Sequence, residues 1–472
     1  MSKKKCLIGG EWRDATESFE VLNPFDGKVL AEVCSVNSGE CEEVISIADE
    51  AAKAMRKLSR FEIAKGLRKI SEGIEKRKTE FAETIAKEAA KPISVARGEV
   101  QRDISTFAWA ASEAERFAGE VVPIDTQAGG KGKTGWTMRI PRGVIYGITP
   151  FNFPLNLVGH KVAPALASGN SIIIKPSQKT PLTALLLGEV FLESGLPKSA
   201  LQVAPMDTDY MDTVLKDERI KMISFTGSDK IGWMLKEKCG KKQISLELGG
   251  NAPVIVDESA DIEKAVEQTT MGAFVYAGQV CISVQRVLLH NKIADEFTEK
   301  FVENAKSLKK GNPLDDSTQL SSMIDEDAAK KAKSRVDEAI DNGAELLCGN
   351  EIDGSMLDAT ILTNVDSEMP VVLEEIFAPV AVIETFSDFK EAVEMANHTR
   401  FGLQAGVFTQ SLDNSQYAAR NLEYGGVLIN DVPTFRVDNM PYGGVKDSGF
   451  GREGVKYAME EMSEIRLIVL NS

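Results

Sequence analysis

Glu247 has surroundings that suggest chemistry. It ends the run ISLE and is followed at once by LGGNAP, which places a carboxylate at the end of an apolar strand. A buried carboxylate is costly unless it is paired or used, and desolvation raises its pKa towards the range of a general base. The alternative is structural, with Glu247 bracing the turn at Gly249 and Gly250.

Asn152 and Cys281 are two further candidates. Asn152 lies in TPFNFPLN, where Pro150 and Pro154 fix the backbone and aim the amide. A rigid amide donor suits an oxyanion, although a plain turn asparagine is the alternative. Cys281 lies in YAGQVCISVQR, after Gly278 and before a β-branched run. Most cysteines are small buried hydrophobic residues, so a structural role is the competing interpretation.

Residues at the ends of two strands suggest a cofactor site. Lys175 lies where the strand SIIIKPS ends, and a cation at the carboxyl end of a parallel strand suits a ribose hydroxyl or a phosphate. Gly227 and Ser228 follow a second strand and open a helix, whose first amides can receive a pyrophosphate. A surface lysine and a tight strand-to-helix turn are the alternatives.

The glycine pattern in AGGKGKTGW does not predict a dinucleotide site. Gly130, Gly132 and Gly135 spell G-x-G-x-x-G, but a strand-like segment follows them, and no Asp or Glu occurs between Gly135 and Glu189. A true fingerprint needs a preceding strand, a following helix and an acidic residue about 20 positions later. The segment instead resembles a β-hairpin.

The elements that must position these residues follow from periodicity. Segments after Val44 have apolar residues at helical spacing and predict a helical layer. From Met138 onward, β-branched runs alternate with helices, which predicts parallel sheets covered on both faces. A second αβ series runs from Ala252 to about Gly444, and the tail EIRLIVL alternates like a strand that pairs elsewhere.

Composition excludes several classes. The net charge of −16 and the lack of a basic cluster argue against nucleic-acid binding. No apolar run reaches the roughly 18 residues of a membrane span, and no secretory signal is visible, so a cytoplasmic location is expected. Six scattered cysteines and three histidines predict neither a disulfide framework nor a metal site.

Seven ordered blocks resemble the NAD(P)-dependent aldehyde dehydrogenase superfamily. They are PFNFP (150–154), IIIKPS (172–177), FTGS (225–228), LELGGNAP (246–253), GQVC (278–281), EEIFAPV (374–380) and PYGGVKDSGFGREG (441–454). The resemblance covers essentially the whole chain. Ala378 replaces a more usual glycine, and Tyr442 stands where phenylalanine is common.

The resemblance implies roles for the three candidates. Cys281 is then the nucleophile, with a pKa lowered beside the bound cofactor and helix amides. The Asn152 amide and the Cys281 N–H hold the oxyanion, and Glu247 deprotonates the water that hydrolyses the thioester.

The resemblance also implies a cofactor site for NAD or NADP. Lys175 contacts the adenosine ribose, Ser228 the pyrophosphate and Glu375 the nicotinamide ribose, with Phe377 nearby. Thr149, Phe151, Ser177, Gln178 and Gly227 complete the expected site. Gln178 stands where many members carry a glutamate, so a 2′-phosphate is not repelled and the cofactor preference stays open.

The substrate is expected to be a small aldehyde. TPFNFPLNLVGHK and INDVPTFRVDNMPYGG resemble the lactaldehyde and non-phosphorylating glyceraldehyde-3-phosphate dehydrogenase branch. Arg102 and Arg436 are candidates for an anionic or hydroxylated substrate tail, with surface or interface roles as alternatives. Val280 stands where phosphate-binding relatives tend to have arginine, so a short hydroxyaldehyde such as lactaldehyde, or a related semialdehyde, is favoured.

The expected architecture is α/β, with two parallel-sheet αβα domains and an oligomerising β-hairpin. The limits are 1–119 and 141–246 for the cofactor domain, 120–140 for the hairpin, 247–446 for the catalytic domain and 447–472 for a C-terminal oligomerisation segment. A homodimer or homotetramer is expected. The rival functions are an acylating, coenzyme-A-dependent dehydrogenase, which generally lacks the glutamate base, and a cofactor-independent cysteine hydrolase or non-catalytic relative.

Overall fold

The computed structural model describes residues 3–471, so Met1, Ser2 and Ser472, which the expected domain limits include, lie outside the described residues. The strands are β1 (Lys3–Lys4), β2 (Cys6–Ile8), β3 (Glu11–Arg13), β4 (Glu17–Leu22), β5 (Val29–Ser35), β6 (Val121–Val122), β7 (Lys133–Pro141), β8 (Val144–Ile148), β9 (Ser171–Lys175), β10 (Leu201–Val203), β11 (Ile220–Thr226), β12 (Gln243–Glu247), β13 (Ala252–Val256), β14 (Val284–His290), β15 (Glu345–Cys348), β16 (Ile352–Asp353), β17 (Met356–Leu357), β18 (Thr360–Thr363), β19 (Val380–Phe386), β20 (Gln404–Phe408), β21 (Gly426–Ile429), β22 (Gly449–Phe450) and β23 (Ser463–Asn471).

The α-helices lie between these strands. They are α1 (Ser38–Met55), α2 (Arg60–Lys76), α3 (Lys78–Ala89), α4 (Ile93–Arg116), α5 (Asn156–Ala167), α6 (Leu182–Leu192), α7 (Met211–Lys216), α8 (Asp229–Lys238), α9 (Ile262–Phe274), α10 (Ala294–Ser307), α11 (Glu326–Asp341), α12 (Pro370–Leu373), α13 (Phe389–Asn397), α14 (Leu412–Asn421) and α15 (Val455–Glu461). Among residues 3–471, no helix combines the length and apolar character needed to cross a membrane.

The first large sheet has the order β22-β12-β11-β8-β9-β10-β2-β3. Its centre, from β12 to β10, is parallel, whereas β22 and β2 join it antiparallel. Each residue of β8 and β9 is buried, as continuous apolar runs covered on both faces require. The predicted parallel sheet is confirmed, and the carboxyl ends of β8, β9, β11 and β12 open on one edge.

The second large sheet has the order β15-β18-β19-β14-β13-β20-β21. It is parallel except for β15, which pairs antiparallel with β18 at one edge. The predicted second αβ series is therefore confirmed as well. Cys281 lies just before β14, near the centre of this sheet.

A third sheet joins the predicted hairpin to the tail. β7 pairs antiparallel with β6 on one side and with β23 on the other. Gly130 is explained by packing, because a Cβ there would lie 1.9 Å from the carbonyl oxygen of Ile124. The glycine-rich segment thus belongs to the hairpin, as its flanking residues predict.

The predicted helical layer consists of α1 to α4. Capping boxes begin two of these helices, at Asn37 with Glu40 and at Ser59 with Glu62. The periodic segment after Glu62 is not one helix, since the backbone leaves helical geometry at Arg77 and separates α2 from α3. Apolar periodicity continues through such a break because both helices pack against α4 and α6.

The domain limits remain a prediction. The segment 447–472 contributes to two sheets: β22 pairs with β12 in the first large sheet, and β23 pairs with β7. The last helix, α15, lies between them and contacts α4 and α5.

Glu88, near the end of α3, caps a helix that is distant in sequence. Its carboxylate accepts the N–H groups of Leu182 at 2.7 Å and Thr183 at 2.9 Å, at the start of α6. The Thr183 hydroxyl also donates to it. Burial raises the pKa of Glu88 to about 7. This contact fixes α3 against α6 behind the first sheet.

Glu88→Ala should lower the free energy of unfolding by about 2 kcal/mol, because two buried N–H groups lose their acceptor. Chemical denaturation measures the change. Glu83→Ala is the matched control on the same helix, since Glu83 makes only an exposed pair with Lys87 and should cost less than about 0.5 kcal/mol. Equal losses in the two variants would contradict the capping role.

Candidate active site

Asn152, Glu247 and Cys281 line one cavity of about 410 Å³. Asn152 lies in the connection from β8 to α5, Glu247 is the last residue of β12, and Cys281 lies between a 3₁₀ turn at Val275–Gly278 and β14. The first sheet therefore positions Asn152 and Glu247, and the second sheet positions Cys281. The cavity is lined by residues that follow strands of both sheets.

The backbone around Cys281 is tightly held. Tyr276 and Ala277 have φ of 51° and 52°, a left-handed conformation that non-glycine residues rarely adopt. Gly250 leaves room for this loop, because a Cβ there would lie 2.2 Å from the Cys281 carbonyl oxygen. The Asn152 side-chain amide donates to the Gln279 carbonyl at 2.9 Å, which joins the Asn152 loop to the Cys281 loop.

The protein's own groups act on the pKa of Cys281 in opposite directions, and the lowering expected beside the bound cofactor stays a prediction. Burial raises the pKa of the thiol to about 11 and outweighs both the hydrogen bond from Tyr442 and the positive charge of Arg436. The Cys281 Sγ and the Tyr442 hydroxyl are 3.0 Å apart. Tyr442, which stands where phenylalanine is common, therefore makes a hydrogen bond with the thiol that a phenylalanine would lack.

Glu247 is 3% exposed, and within residues 3–471 neither of its carboxylate oxygens has a hydrogen-bond partner. Burial, reinforced by the negative charge of Glu453, raises the pKa of Glu247 well above its ordinary value. Burial therefore favours the protonated form of Glu247 more than it would for a solvated glutamate.

A buried ion cluster lies beside Glu247. The Lys161 ammonium donates to Glu453 at 3.0 Å and to the hydroxyls of Ser224 at 3.0 Å and Thr226 at 2.8 Å. Arg436 lies 3.3 Å from the other Glu453 oxygen. Although burial opposes ionisation, Lys161 and Arg436 lower the pKa of Glu453 to about 2. The surroundings thus shift the pKa values of the two neighbouring carboxyls in opposite directions.

Sequence analysis missed Glu453 and the role of Lys161. The sequence contained a signal for this ion cluster, because His160 and Lys161 interrupt the otherwise apolar helix α5, which is buried throughout. A polar pair in such a helix must be satisfied by groups from elsewhere.

Arg102 and Arg436 meet around His160 and Asp438. Arg102 donates to Asp438 at 2.8 Å, the His160 Nε2 lies 2.8 Å from the same oxygen, and Arg436 lies 3.4 Å from the His160 Nδ1. Burial and the Arg436 charge lower the pKa of His160. The Arg436 guanidinium carbon also lies over the Tyr442 ring, 3.6 Å from its centroid. The hydroxyl of the same ring contacts the Cys281 sulfur.

This arginine cluster has unused hydrogen-bonding capacity. Within the described chain, the buried Nε atoms of Arg102 and Arg436 and the buried Nδ2 of Asn156 have no hydrogen-bond partner. Burial raises the pKa of the nearby Asp103 carboxyl well above its ordinary value. Lys161, Arg102 and Arg436 pair with the carboxylates of Glu453 and Asp438. The unpaired N–H groups of the two arginines suit a polar or anionic group.

The 410 Å³ cavity also has features that suit a dinucleotide. Its lining includes Phe151, Gly227, Ser228, Glu375 and Phe377 from the predicted cofactor set. Ser228 is the N-cap residue of α8 and makes no side-chain capping bond, so the helix start is available to an anion. The Glu375 carboxylate accepts the Gly250 N–H at 2.9 Å, and burial raises its pKa to about 7.

The remaining predicted cofactor residues, Thr149, Lys175, Ser177 and Gln178, do not line that cavity. Thr149 and Lys175 lie on adjacent strand ends, and Gln178 lines a second groove of about 700 Å³. The backbone N–H of Asp209 lowers the pKa of Asp207, and Gln178 and Lys175 beside it act in the same direction. Sequence analysis missed Asp207, a carboxylate close to the position where Gln178 lacks a charge.

Tyr442→Phe should slow alkylation of Cys281. The Tyr442 hydroxyl lowers the pKa of the thiol, so its removal raises that pKa further and leaves less thiolate at pH 8. We expect a decrease of about 3- to 10-fold in the rate with iodoacetamide, followed by peptide mass spectrometry. Tyr457→Phe, next to Lys456, is the control. An unchanged or faster rate in Tyr442→Phe would refute the assigned contact.

Known proteins resemble the chain over nearly its whole length. The chain is 41% identical over 465 residues to 3-sulfolactaldehyde dehydrogenase of Priestia megaterium, covering 98% of this chain and 97% of the relative. It is 42% identical over 474 residues to lactaldehyde dehydrogenase of Methanococcus aeolicus, covering 99% and 100% of the two chains.

Solved structures resemble it equally well. Aldehyde dehydrogenase 21 from Physcomitrella patens, in complex with the reaction product succinate, has a TM-score of 0.97 at 42% identity, covering 99% of this chain and 98% of that chain. Glyceraldehyde-3-phosphate dehydrogenase GapN from Methanocaldococcus jannaschii, complexed with NADP, has a TM-score of 0.93 at 41% identity, covering 97% and 100%. The expected fold class is confirmed.

The family model described as "Aldehyde dehydrogenase family" matches residues 12–468. The resemblance inferred from the motifs is therefore confirmed, and the chain belongs to the aldehyde dehydrogenase family.

Proposed function

We propose that this enzyme oxidises a short hydroxyaldehyde or semialdehyde to its carboxylate, with NAD or NADP as the hydride acceptor and a thioester on Cys281 as the intermediate. The main support is one cavity that exposes Cys281, Glu247 and Asn152 to the same space as the α8 N-terminus and Glu375. A reacting carbonyl and a dinucleotide thereby have access to the same sulfur.

Cys281 attacks the aldehyde carbon as the thiolate, and the thiol proton passes to water in the cavity. The Tyr442 hydroxyl and the Arg436 charge favour the thiolate, although burial opposes it. The side-chain amide of Asn152 uses one N–H for the Gln279 carbonyl, which leaves its second N–H for the developing oxyanion. The hydride acceptor is supplied by the oxidised nicotinamide when it is bound.

Glu247 activates the water that hydrolyses the thioester. Its raised pKa makes it a stronger base than a solvated glutamate, which suits the transfer of a proton from water in the transition state. Glu247 also speaks against the acylating, coenzyme-A-dependent alternative, because that reaction needs no water.

The arginine cluster defined by Arg102, Arg436, His160 and Asp438 supports this substrate class. The unpaired Nε–H groups of its two arginines suit a polar or anionic end a few atoms from the aldehyde. The similar proteins are named for 3-sulfolactaldehyde and lactaldehyde, both short 2-hydroxyaldehydes. Lactaldehyde is our leading substrate, and an anionic aldehyde of the same length is the second candidate.

We also propose a homodimer or homotetramer, with the third sheet at the interface. Ile465 and Leu467 of β23 are 63% and 54% exposed, which is unusual for apolar residues on a long strand. A cytoplasmic location and the lack of nucleic-acid or membrane partners remain predictions from composition.

Reduced nicotinamide absorbance tests the reaction directly. We expect turnover of lactaldehyde, 3-sulfolactaldehyde or succinate semialdehyde with at least one of NAD and NADP, and no large gain from coenzyme A. Lack of signal with every aldehyde and both cofactors would sink the proposal. A large gain from coenzyme A would favour the acylating reaction, and ester cleavage alone would favour the cysteine hydrolase.

Glu247→Gln should retain one turnover of hydride transfer and then stall, because the thioester is no longer hydrolysed. We expect a burst of reduced nicotinamide of about one equivalent and a steady rate at least about 100-fold lower. Cys281→Ser should abolish both phases. Glu258→Gln, in an exposed pair with Lys292, is the charge-matched control. Equal steady rates in Glu247→Gln and the wild type would remove Glu247 from its role.

Arg102→Gln should raise the KM for 3-sulfolactaldehyde by about 10- to 100-fold, because a charged hydrogen bond to the substrate is lost. The KM for propanal should change less than about 3-fold, since propanal has no polar tail. Arg97→Gln is the control on the same helix, where Arg97 makes an exposed pair with Asp316. Equal increases in the KM for both aldehydes would show that Arg102 does not contact the substrate's polar tail.

A further inference from the structure

We propose that Lys91 is a positioning residue that clamps the Asn152 loop to the Cys281 loop by presenting its ammonium to one aromatic ring from each. This inference rests on the proposed roles of Cys281 and Asn152. The site described above does not use Lys91, which lies between α3 and α4 and is completely buried. A lysine with no exposure needs a specific reason for its position.

Two rings lie against the Lys91 ammonium. Its Nζ is 3.6 Å from the centroid of Phe153 and 4.5 Å from that of Tyr276. Phe153 directly follows Asn152, and Tyr276 lies in the left-handed turn that precedes Cys281. The two rings also contact each other edge to face, with centroids 6.4 Å apart. A desolvated cation on two ring faces makes attractive contacts that neither ring makes alone.

Glu99 supplies the counter-charge and holds the other end of the Asn152 loop. It forms a buried ion pair with Lys91. Its second oxygen accepts the N–H groups of Leu155 at 2.9 Å and Asn156 at 3.1 Å, at the start of α5. The segment from Asn152 to Asn156 is thus fixed by Lys91 through a ring and by Glu99 through two amides.

The Cys281 side has a similar second attachment. The Tyr276 hydroxyl donates to the Ala89 carbonyl at 3.0 Å, close to Lys91 in sequence. The left-handed φ values of Tyr276 and Ala277 are unfavourable unless the surroundings enforce them. The Asn152–Gln279 hydrogen bond then sets the distance between oxyanion donor and nucleophile, and the Lys91 clamp prevents the two loops from separating.

The test variant is the double substitution Lys91→Met with Glu99→Gln. It removes both charges together, so neither is left buried and unpaired, and the glutamine oxygen still accepts the two amides. We expect kcat to fall by about 10- to 100-fold because the reacting groups lose their alignment, with KM changed less than about 3-fold. Alkylation of Cys281 by iodoacetamide should become at least about 3-fold faster, since the loop opens more readily.

Val100→Ala is the matched control, because it destabilises the same helix, α4, at a buried position outside the clamp. The two variants are compared at temperatures equally far below their melting temperatures. A purely structural role for Lys91 predicts the same kcat and the same alkylation rate in both variants. That result would overturn the inference. Tyr276→Leu removes one ring while keeping the ion pair. It should reproduce the loss of kcat and the faster alkylation if the double variant does not fold.

Cys281→Ser separates this inference from the proposed function. If Cys281→Ser is inactive while the double variant behaves like Val100→Ala, only the clamp fails. If Cys281→Ser retains turnover, the proposed nucleophile fails, and the alkylation rates still decide whether Lys91 holds the Cys281 loop.

Discussion

The pairing of buried charges is the constraint on which this site depends. Lys161 and Glu453 are 0% and 3% exposed, and Arg436 shares the same carboxylate. An unpaired charge at such a position costs several kcal/mol. The ion pairs therefore strongly favour the packing of α5 beside the loop before α15. The cluster therefore ties the carboxyl-terminal segment to the first sheet at the point where Glu247 leaves β12.

Around the same cluster, the pKa values of two neighbouring carboxyls, Glu453 and Glu247, are shifted in opposite directions. Glu453 has cations on both oxygens, and its pKa falls, whereas Glu247 has no hydrogen-bond partner within the described residues, and its pKa rises. Environments that push neighbouring pKa values apart are typical of acid–base sites. The burial of Glu247 at the end of β12 is the main cause of its raised pKa, and the charge of Glu453 adds to it.

Cations on aromatic rings approach the reacting residues from two directions. Arg436 covers Tyr442, whose hydroxyl meets the Cys281 sulfur, and Lys91 lies against Phe153 and Tyr276. Aromatic rings are rigid and fill space, so they fix the positions of the residues that they contact. The cations that lie against the rings keep them in one orientation. The cavity between these layers holds the sulfur at the junction of the two sheets.

The sequence by itself determined both parallel sheets, the hairpin, and the placement of Glu247 and Asn152 at strand ends, because each depends on local periodicity, prolines and glycines. It also rejected the glycine-rich decoy from its flanking residues. Only the tertiary structure decided that burial raises the pKa of Cys281, that Glu453 pairs with Lys161, and that the arginine cluster faces Tyr442. Those properties come from residues hundreds of positions apart, and desolvation and charge pairing depend on distance in space, which local patterns do not record.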